Sequence, residues 1–347
     1  MHLLSLASAV PPARYTQSDC LAIAAASPLF QELRPGSLRL LERILSGDSG
    51  IDERGFVFPD LEEVLSMDAS ALNQAFEREA PDLAVRALEK ALEQAGLAAG
   101  DLDALLVCTC TGYLCPGISS HVAERGGLRE DAVLNDLVGL GCGAALPTLR
   151  SGADFIAAHP QAKVACIAVE ICSAAFYADD SADQLVSLCL FGDAAACSIW
   201  GGGSAPAGSW QTGSFDTLHQ PEHREKIRFI QVGGHLRNQL DRSVPKLAAK
   251  AVGRLAARAD VDPKHESVVV HGGGRDVLEQ IAQTLPDADL SSSREILRAH
   301  GNCSSPSVLL SLEATLASDS DSNQDSIWMT SFGAGFSAHS CRLTRIA

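Results

Sequence analysis

Cys142 closes an apolar run, Val133-Leu134-Asn135-Asp136-Leu137-Val138-Gly139-Leu140-Gly141, and opens a small-residue stretch, Gly143-Ala144-Ala145. Glycines on both sides let the chain turn sharply and leave the sulfur uncrowded, and the start of the helix that follows favours thiolate over thiol. Two distant segments carry the polar groups such a thiolate needs. His271 follows three valines and precedes Gly272-Gly273-Gly274, so its ring leaves a rigid strand for a loop that admits a ligand close to the backbone; its alternative role is core or capping histidine. Asn302 lies in the polar turn His300-Gly301-Asn302-Cys303-Ser304-Ser305, ahead of a helix, where an Asx turn is the alternative. A thiolate attacks thioesters well and also leaves well, so it can load an acyl group and release it to a carbon nucleophile. A histidine beside it would hold it as an ion pair, below the ~8.5 of free cysteine, and loading would need no added base. Imidazole and amide N–H groups together would stabilise an enolate oxygen.

These residues need elements to carry them, and the chain reads as two halves built to one plan. In the first, Leu83, Ala84, Ala87, Leu88, Ala91 and Leu92 recur at helical spacing, Gly96 stops the helix, and Ala104-Leu105-Leu106-Val107-Cys108 is a buried strand. In the second, Val244, Leu247, Ala248, Val252 and Leu255 form the helix and Val268-Val269-Val270 the strand. Each half then has a late strand opened by Phe-Gly, at Phe191-Gly192 and at Phe332-Gly333. Gly201-Gly202-Gly203 marks the boundary, which predicts one unit over 1–203 with the nucleophile and another over 204–347 with His and Asn. Alternating helices and buried strands predict an α/β protein with helices on both faces of mostly parallel sheets, five layers deep if the halves share their middle helices.

Composition narrows the function classes. A formal charge of −16 disfavours nucleic acid as a partner. No apolar run reaches the ~20 residues that span a bilayer, so no membrane integration is expected, and the N-terminal apolar stretch lacks a basic leader and reads as a first strand. Eleven cysteines, odd in number and irregularly spaced, fit reduced thiols in the cytoplasm better than a disulfide framework.

In order, Gly-Cys-Gly-Ala-Ala at 141–145, Phe-Gly-Asp-Ala-Ala at 191–195, Val-His-Gly-Gly-Gly at 270–274, Gly-Asn-Cys-Ser-Ser at 301–305 and Phe-Gly-Ala-Gly at 332–335 resemble the type III polyketide synthases, the chalcone-synthase-like branch of the thiolase fold. Thr109-Cys110-Thr111-Gly112 and Cys115-Pro116-Gly117 resemble that family's bacterial members. The resemblance covers nearly the whole chain. It implies a five-layered αβαβα thiolase-like fold and an acyltransferase that extends a Cys-bound starter with malonyl-CoA by decarboxylative Claisen condensation, then cyclises the chain to a pyrone or phenolic product. It makes Cys142 the acyl carrier, with His271 and Asn302 completing the catalytic trio. Phe191 would be the gatekeeper between entry tunnel and cavity, and Cys110, Thr111, Cys172 and Ser304 would shape the cavity. It further implies a homodimer using coenzyme A thioesters, with no cofactor or metal.

Departures are local. A second gatekeeper phenylalanine is replaced by Asn238 or Gln239, and Cys115 replaces a methionine that crosses the family's dimer interface. The carrier-phosphate cations reduce to Arg39, Arg43 and Arg54, opposed by Glu42 and Asp48. The alternatives are a ketoacyl synthase III-like single condensation fed by a carrier protein, whose His-Gln-Ala-Asn segment is absent, and more distantly a hydrolase using Cys142, Asp193 and His271, whose Gly-x-nucleophile-x-Gly elbow is missing. A metal module on Cys108, Cys110 and Cys115 lacks a second ligand pair.

Overall fold

The computed structural model describes residues 1–318 and 324–347. Its first half supplies strands β1 (His2–Ala9), β2 (Ala13–Thr16), β3 (Glu53–Phe56), β4 (Ala104–Thr109), β5 (Val133–Val138), β6 (Lys163–Glu170) and β7 (Ala194–Gly201). Its helices are α1 (Gln17–Ala26), α2 (Pro28–Gln31), α3 (Pro35–Leu45), α4 (Leu61–Ser66), α5 (Ala69–Ala95), α6 (Ile118–Gly126), α7 (Ala145–Ala158) and α8 (Ala182–Leu190). The second half supplies β8 (Trp210–His219), β9 (Ile227–Val232), β10 (His235–Leu240), β11 (Ser267–Val270), β12 (Ser326–Gly333) and β13 (Ser337–Arg345). With these run α9 (Val244–Arg258), α10 (Arg275–Thr284), α11 (Ser291–His300) and α12 (Ser307–Ser318).

Nine strands form one sheet in the order β11-β12-β13-β8-β1-β7-β6-β4-β5. The order is mirrored about the β8–β1 junction, where one residue pair, His2 and Gln211, joins the two half-sheets. Helices α7 and α12 lie between the half-sheets. The first touches β4 and β6 on one side and β12 and β13 on the other; the second touches β1 on one side and β11 and β12 on the other. One apolar core therefore surrounds these two helices, including Leu149, Trp200, Leu309 and Met329. A second core lies under α5, and a third joins α9 and α10 to the outer face of the other half-sheet. Helix, sheet, helix, sheet, helix is the five-layered αβαβα arrangement of the thiolase fold.

Two sequence expectations need correction. The sheet is mixed, not mostly parallel: only β4–β5, β4–β6 and β11–β12 run parallel. The physical reason is visible at Phe332-Gly333-Ala334-Gly335-Phe336, where Phe-Gly does not open a strand. It ends β12, and a tight turn returns the chain antiparallel as β13. The apolar strand before Cys142 also departs from its burial pattern. β5 is the last strand of the sheet, and Val133, Leu134 and Val138 are exposed on it at 43, 38 and 50%.

The β12–β13 turn lies directly on the turn that carries Cys142. A Cβ added to Gly333 would sit 2.5 Å from the Gly143 nitrogen and the Leu140 oxygen, and 3.0 Å from the Cys142 nitrogen. Only glycine fits there without moving backbone. Overpacking of this kind costs about 1–3 kcal/mol. Gly333→Ala is therefore expected to lower the melting temperature by several degrees and to slow alkylation of Cys142 by iodoacetamide at least tenfold; an unchanged melt and an unchanged alkylation rate together would show that the two turns move independently.

Candidate active site

Cys142 stands in a single 3-10 turn, Gly141–Gly143, between β5 and α7. His271 follows the last residue of β11, its backbone N–H bonded to the Thr330 carbonyl of the neighbouring strand at 2.9 Å. Asn302 follows α11 and pairs alongside Phe191: its N–H donates to the Leu190 carbonyl at 2.8 Å, and Gly192 N–H donates to its carbonyl at 3.1 Å. Gly301 makes this approach feasible. It has φ 70°, and a Cβ on it would meet the Leu190 oxygen at 2.6 Å. All three residues line one cavity of about 720 Å³, which also touches Phe191, Phe332 and Arg43. Residues separated by up to 160 positions thus meet because both half-sheets aim their strand ends at the same space.

The Asn302 side chain does two things. Its Oδ1 accepts from Ser304 N–H at 2.8 Å, an Asx turn, while its Nδ2 donates to the Gly273 carbonyl at 3.1 Å. That leaves the second amide hydrogen for the cavity. The turn holds Ser304 at φ 56°, a left-handed conformation that a side chain adopts only when its surroundings enforce it. There the Ser304 hydroxyl lies 3.2 Å from Cys142 Sγ, to which it donates, 3.2 Å from Cys110 Sγ and 3.4 Å from Glu170 Oε1.

Glu170, at the end of β6, is fully buried. Its Oε2 accepts from Thr109 Oγ1, the Cys110 and Thr111 N–H groups and Thr111 Oγ1, all within 3.2 Å; its Oε1 accepts from Ser305 Oγ at 2.5 Å. Sequence reasoning overlooked it. A charged residue ending the apolar strand Lys163–Glu170 was the available signal. Thr111 and Cys172 line a small inner chamber behind Phe191, and the polar wall expected from Asn238 or Gln239 is Asn238, buried with its Nδ2 donating to Ser187 Oγ at 3.0 Å.

Burial works against the preformed thiolate expected from the sequence. Burial, with the Glu170 charge adding to it, pushes the Cys142 thiol up to about 12 despite the bond from Ser304. Burial also lowers His271 to about 4, and its Nδ1 has no partner among the described residues. Burial thus favours the neutral form of both the thiol and the imidazole. Asp193 is not an acid for this histidine: its carboxylate accepts from Val57 N–H and from the Ser173 N–H and hydroxyl, and burial raises it to about 6.

At the mouth, Arg54 is withdrawn from the expected phosphate site. It is buried, donating to the Leu188 and Phe191 carbonyls at 2.7 and 2.8 Å. Asp48 does not oppose Arg43 but pairs with Arg275 at 3.1 Å. Arg43 and Arg242 line the mouth from α3 and from the β10–α9 connection. The sequence reading did not select Arg242, because its approach depends on the fold of the second half.

Known proteins resemble this chain along nearly its whole length. Residues 6–201 match the model of the FAE1/type III polyketide synthase-like proteins, and residues 257–345 match that of the 3-oxoacyl-(acyl-carrier-protein) synthase III C-terminal region. The chain is 33% identical to a 1,3,6,8-tetrahydroxynaphthalene synthase of Streptomyces peucetius subsp. caesius over 88% of this chain and 83% of that one. It is 27% identical to a phloroglucinol synthase of Pseudomonas fluorescens over 87% and 88%. Among solved structures, the 1,3,6,8-tetrahydroxynaphthalene synthase of Streptomyces coelicolor A3(2) superposes with a TM-score of 0.87 at 24% identity and full coverage of both chains. PKS-I of the brown alga Ectocarpus siliculosus superposes with a TM-score of 0.89 at 22%, over 99% of this chain and 98% of that one.

A thiol held up to about 12 has a thiolate fraction that grows tenfold with each pH unit below that value. The rate of Cys142 alkylation by iodoacetamide is therefore expected to rise about tenfold per unit from pH 6 to 9. A plateau beginning near pH 6 would instead reveal a resting ion pair with His271.

Proposed function

The chain belongs to the type III polyketide synthase family, and from that premise we propose that Cys142, His271 and Asn302 carry out its acyl transfer and condensation. The convergence of these three on one cavity supports the assignment. Cys142 Sγ attacks the carbonyl carbon of the acyl thioester while His271 accepts its proton. The coenzyme A thiolate departs and recovers a proton, leaving the acyl group on sulfur. Malonyl-CoA then loses CO₂, and the electron pair of the broken carbon–carbon bond becomes an enolate. The free Asn302 amide hydrogen and the His271 N–H stabilise its oxygen; one such donor is worth about 10²–10³ in rate. The enolate carbon attacks the Cys142-bound carbonyl and Sγ leaves, so the chain lengthens by two carbons on the incoming thioester. Phe191 beside the departing carboxylate disfavours its charge by excluding water. Return of the chain to Cys142 repeats the cycle, and ring closure gives a phenolic product of the kind named for the relatives.

Arg43 and Arg242 are assigned to the carrier phosphates, in keeping with their place at the mouth. The division at 203/204 is part of the same reading, supported by the mirrored strand order. A cytoplasmic setting is supported by eleven free cysteines; among the described residues no helix is long and apolar enough to cross a membrane. A homodimer is supported by β5, which ends the sheet with apolar side chains exposed. Light scattering is expected to give twice the chain mass, and Leu134→Lys with Val138→Lys to shift it toward one; a wild-type monomer would sink this part of the reading.

Incubation with radiolabelled malonyl-CoA, with and without acyl-CoA starters, is expected to yield labelled phenolics or pyrones that disappear in Cys142→Ala. Arg242→Glu should raise the KM for malonyl-CoA at least tenfold. Product formed only with a carrier protein, after one extension, would point to the ketoacyl synthase alternative.

A further inference from the structure

Helix α9 and the connection before it carry charge of one sign. Residues 242–259 include five basic side chains, Arg242, Lys246, Lys250, Arg254 and Arg258, and no acidic one, in a protein whose formal charge is −16. A spacing of four sets them along one side of the helix. All five are exposed, while Val244, Ala248, Val252 and Leu255 bury the opposite side. From Lys246 to Arg258 the ridge runs about 18 Å. Arg258 pairs with Asp216 at 3.7 Å, and none of the other four is ion-paired among the described residues. The nearest acids are taken elsewhere, Asp241 by Lys226 and both Asp276 and Glu279 by Arg275.

This pattern works against the helix that bears it. Like charges four residues apart repel, and Lys246 stands in the first turn, where the helix dipole favours an acid. Other exposed helices mix their charges: α5 sets Asp82, Glu89 and Glu93 among Arg86 and Lys90, and α11 sets Glu295 between Arg294 and Arg298. Stability of the fold therefore does not account for the ridge. Its position does. Arg242, Val244 and Pro245 line the mouth of the cavity that holds Cys142, so the ridge begins where a thioester enters and continues along the surface. A flat anionic membrane would also meet Asp276 and Glu279 on α10, which packs along α9, and be repelled by them. A narrow acidic helix laid on α9 meets only the cations.

We propose that the basic ridge of α9 docks an acidic acyl carrier protein, so that the starter acyl group reaches Cys142 from a protein-bound phosphopantetheine as well as from coenzyme A, with malonyl-CoA remaining the extender. This rests on the acyl-transfer reading of Cys142. Carboxylates on an exposed helix of the carrier pair with Lys246, Lys250 and Arg254, and the pantetheine arm enters the mouth, its one phosphate meeting Arg43 and Arg242. Cys142 Sγ attacks the thioester carbonyl carbon and the carbon–sulfur bond to the arm breaks. The arm's sulfur leaves with the electron pair and takes up the proton that Cys142 gave to His271, so the carrier departs with a free thiol.

Loading of Cys142 tests this without any condensation. Wild type and the double variant Lys250→Glu with Arg254→Glu are incubated with the same acyl groups, acetyl to hexanoyl, on coenzyme A or on the acyl carrier protein of the host's fatty-acid synthesis. Acylation is followed by intact-protein mass, with Cys142→Ala as the control. The wild type is expected to load from both donors, and loading from the carrier to fall at least tenfold between 50 and 500 mM salt, about the range over which exposed charges become screened. The double variant should lose at least tenfold in kcat/KM with the acyl carrier, stay within twofold with acyl-CoA and melt as the wild type does. Lys250→Gln with Arg254→Gln should lie between. Loading from acyl-CoA but not from the carrier, or an equal effect of the variant on both donors, would overturn the proposal. Binding of the wild type to phosphatidylglycerol vesicles that the variant loses, with carrier loading unchanged, would overturn it in favour of a membrane. No loading of the wild type from either donor, or loading that persists in Cys142→Ala, would overturn the acyl-transfer reading itself.

Discussion

Glu170 is the constraint around which the site is built. Leaving a carboxylate in a water-free interior costs several kcal/mol unless its lone pairs are filled, and hydrogen bonds to a charged group return about 1.5–3 kcal/mol each. Five donors meet that demand here, and they come from two places, the end of β4 with the loop after it and the turn after Asn302. Satisfying one buried charge therefore fixes two loops from opposite halves of the chain against each other. Ser304 belongs to the second of them, and its left-handed backbone is held by this network and by Asn302 Oδ1. The cavity wall next to the sulfur is thus set by electrostatics at the end of β6 as much as by the residues that face the substrate.

The same burial shapes the chemistry. Burial disfavours the charged forms of the Cys142 thiol and the His271 imidazole, and with them an ion pair at rest. On the proposed mechanism the proton moves as the carbon–sulfur bond forms, and the spare Asn302 hydrogen and the imidazole N–H face the oxygen that becomes negative. Asn302 could be read as either a turn-former or a catalytic amide. The turn is formed, and it is compatible with the proposed role, because the Asx bond that orients the side chain uses the oxygen and leaves a hydrogen on the nitrogen.

Much of this was legible in the sequence, for physical reasons. Cys142, His271 and Asn302 are marked by glycines, and glycines appear where backbone must turn tightly or approach closely. Gly96 at φ 64° ends α5 where the periodicity stops. What escaped was decided by partners far away in sequence. Arg54 looks like a surface cation beside Arg43, yet four acceptors in the core claim its guanidinium. β5 has the composition of a buried strand and stands at the exposed margin of the sheet. Parallel and antiparallel pairing was misjudged because apolar strands look alike whichever way they run, and only the short turn at Gly333-Ala334-Gly335 imposes the reversal.

That turn also bears on how the protein comes into being. Its residues leave the ribosome roughly 190 positions after the cysteine they pack against, which at about 5–20 residues per second is on the order of 10–40 s. During that interval the first half can form its strands and α5, but the nucleophile's turn lacks the backbone that will confine it, and Ser304 has not yet reached the sulfur. The site around Cys142 is therefore completed only after that turn has emerged, and a half-made molecule holds its thiol without the groups that surround it in the folded protein.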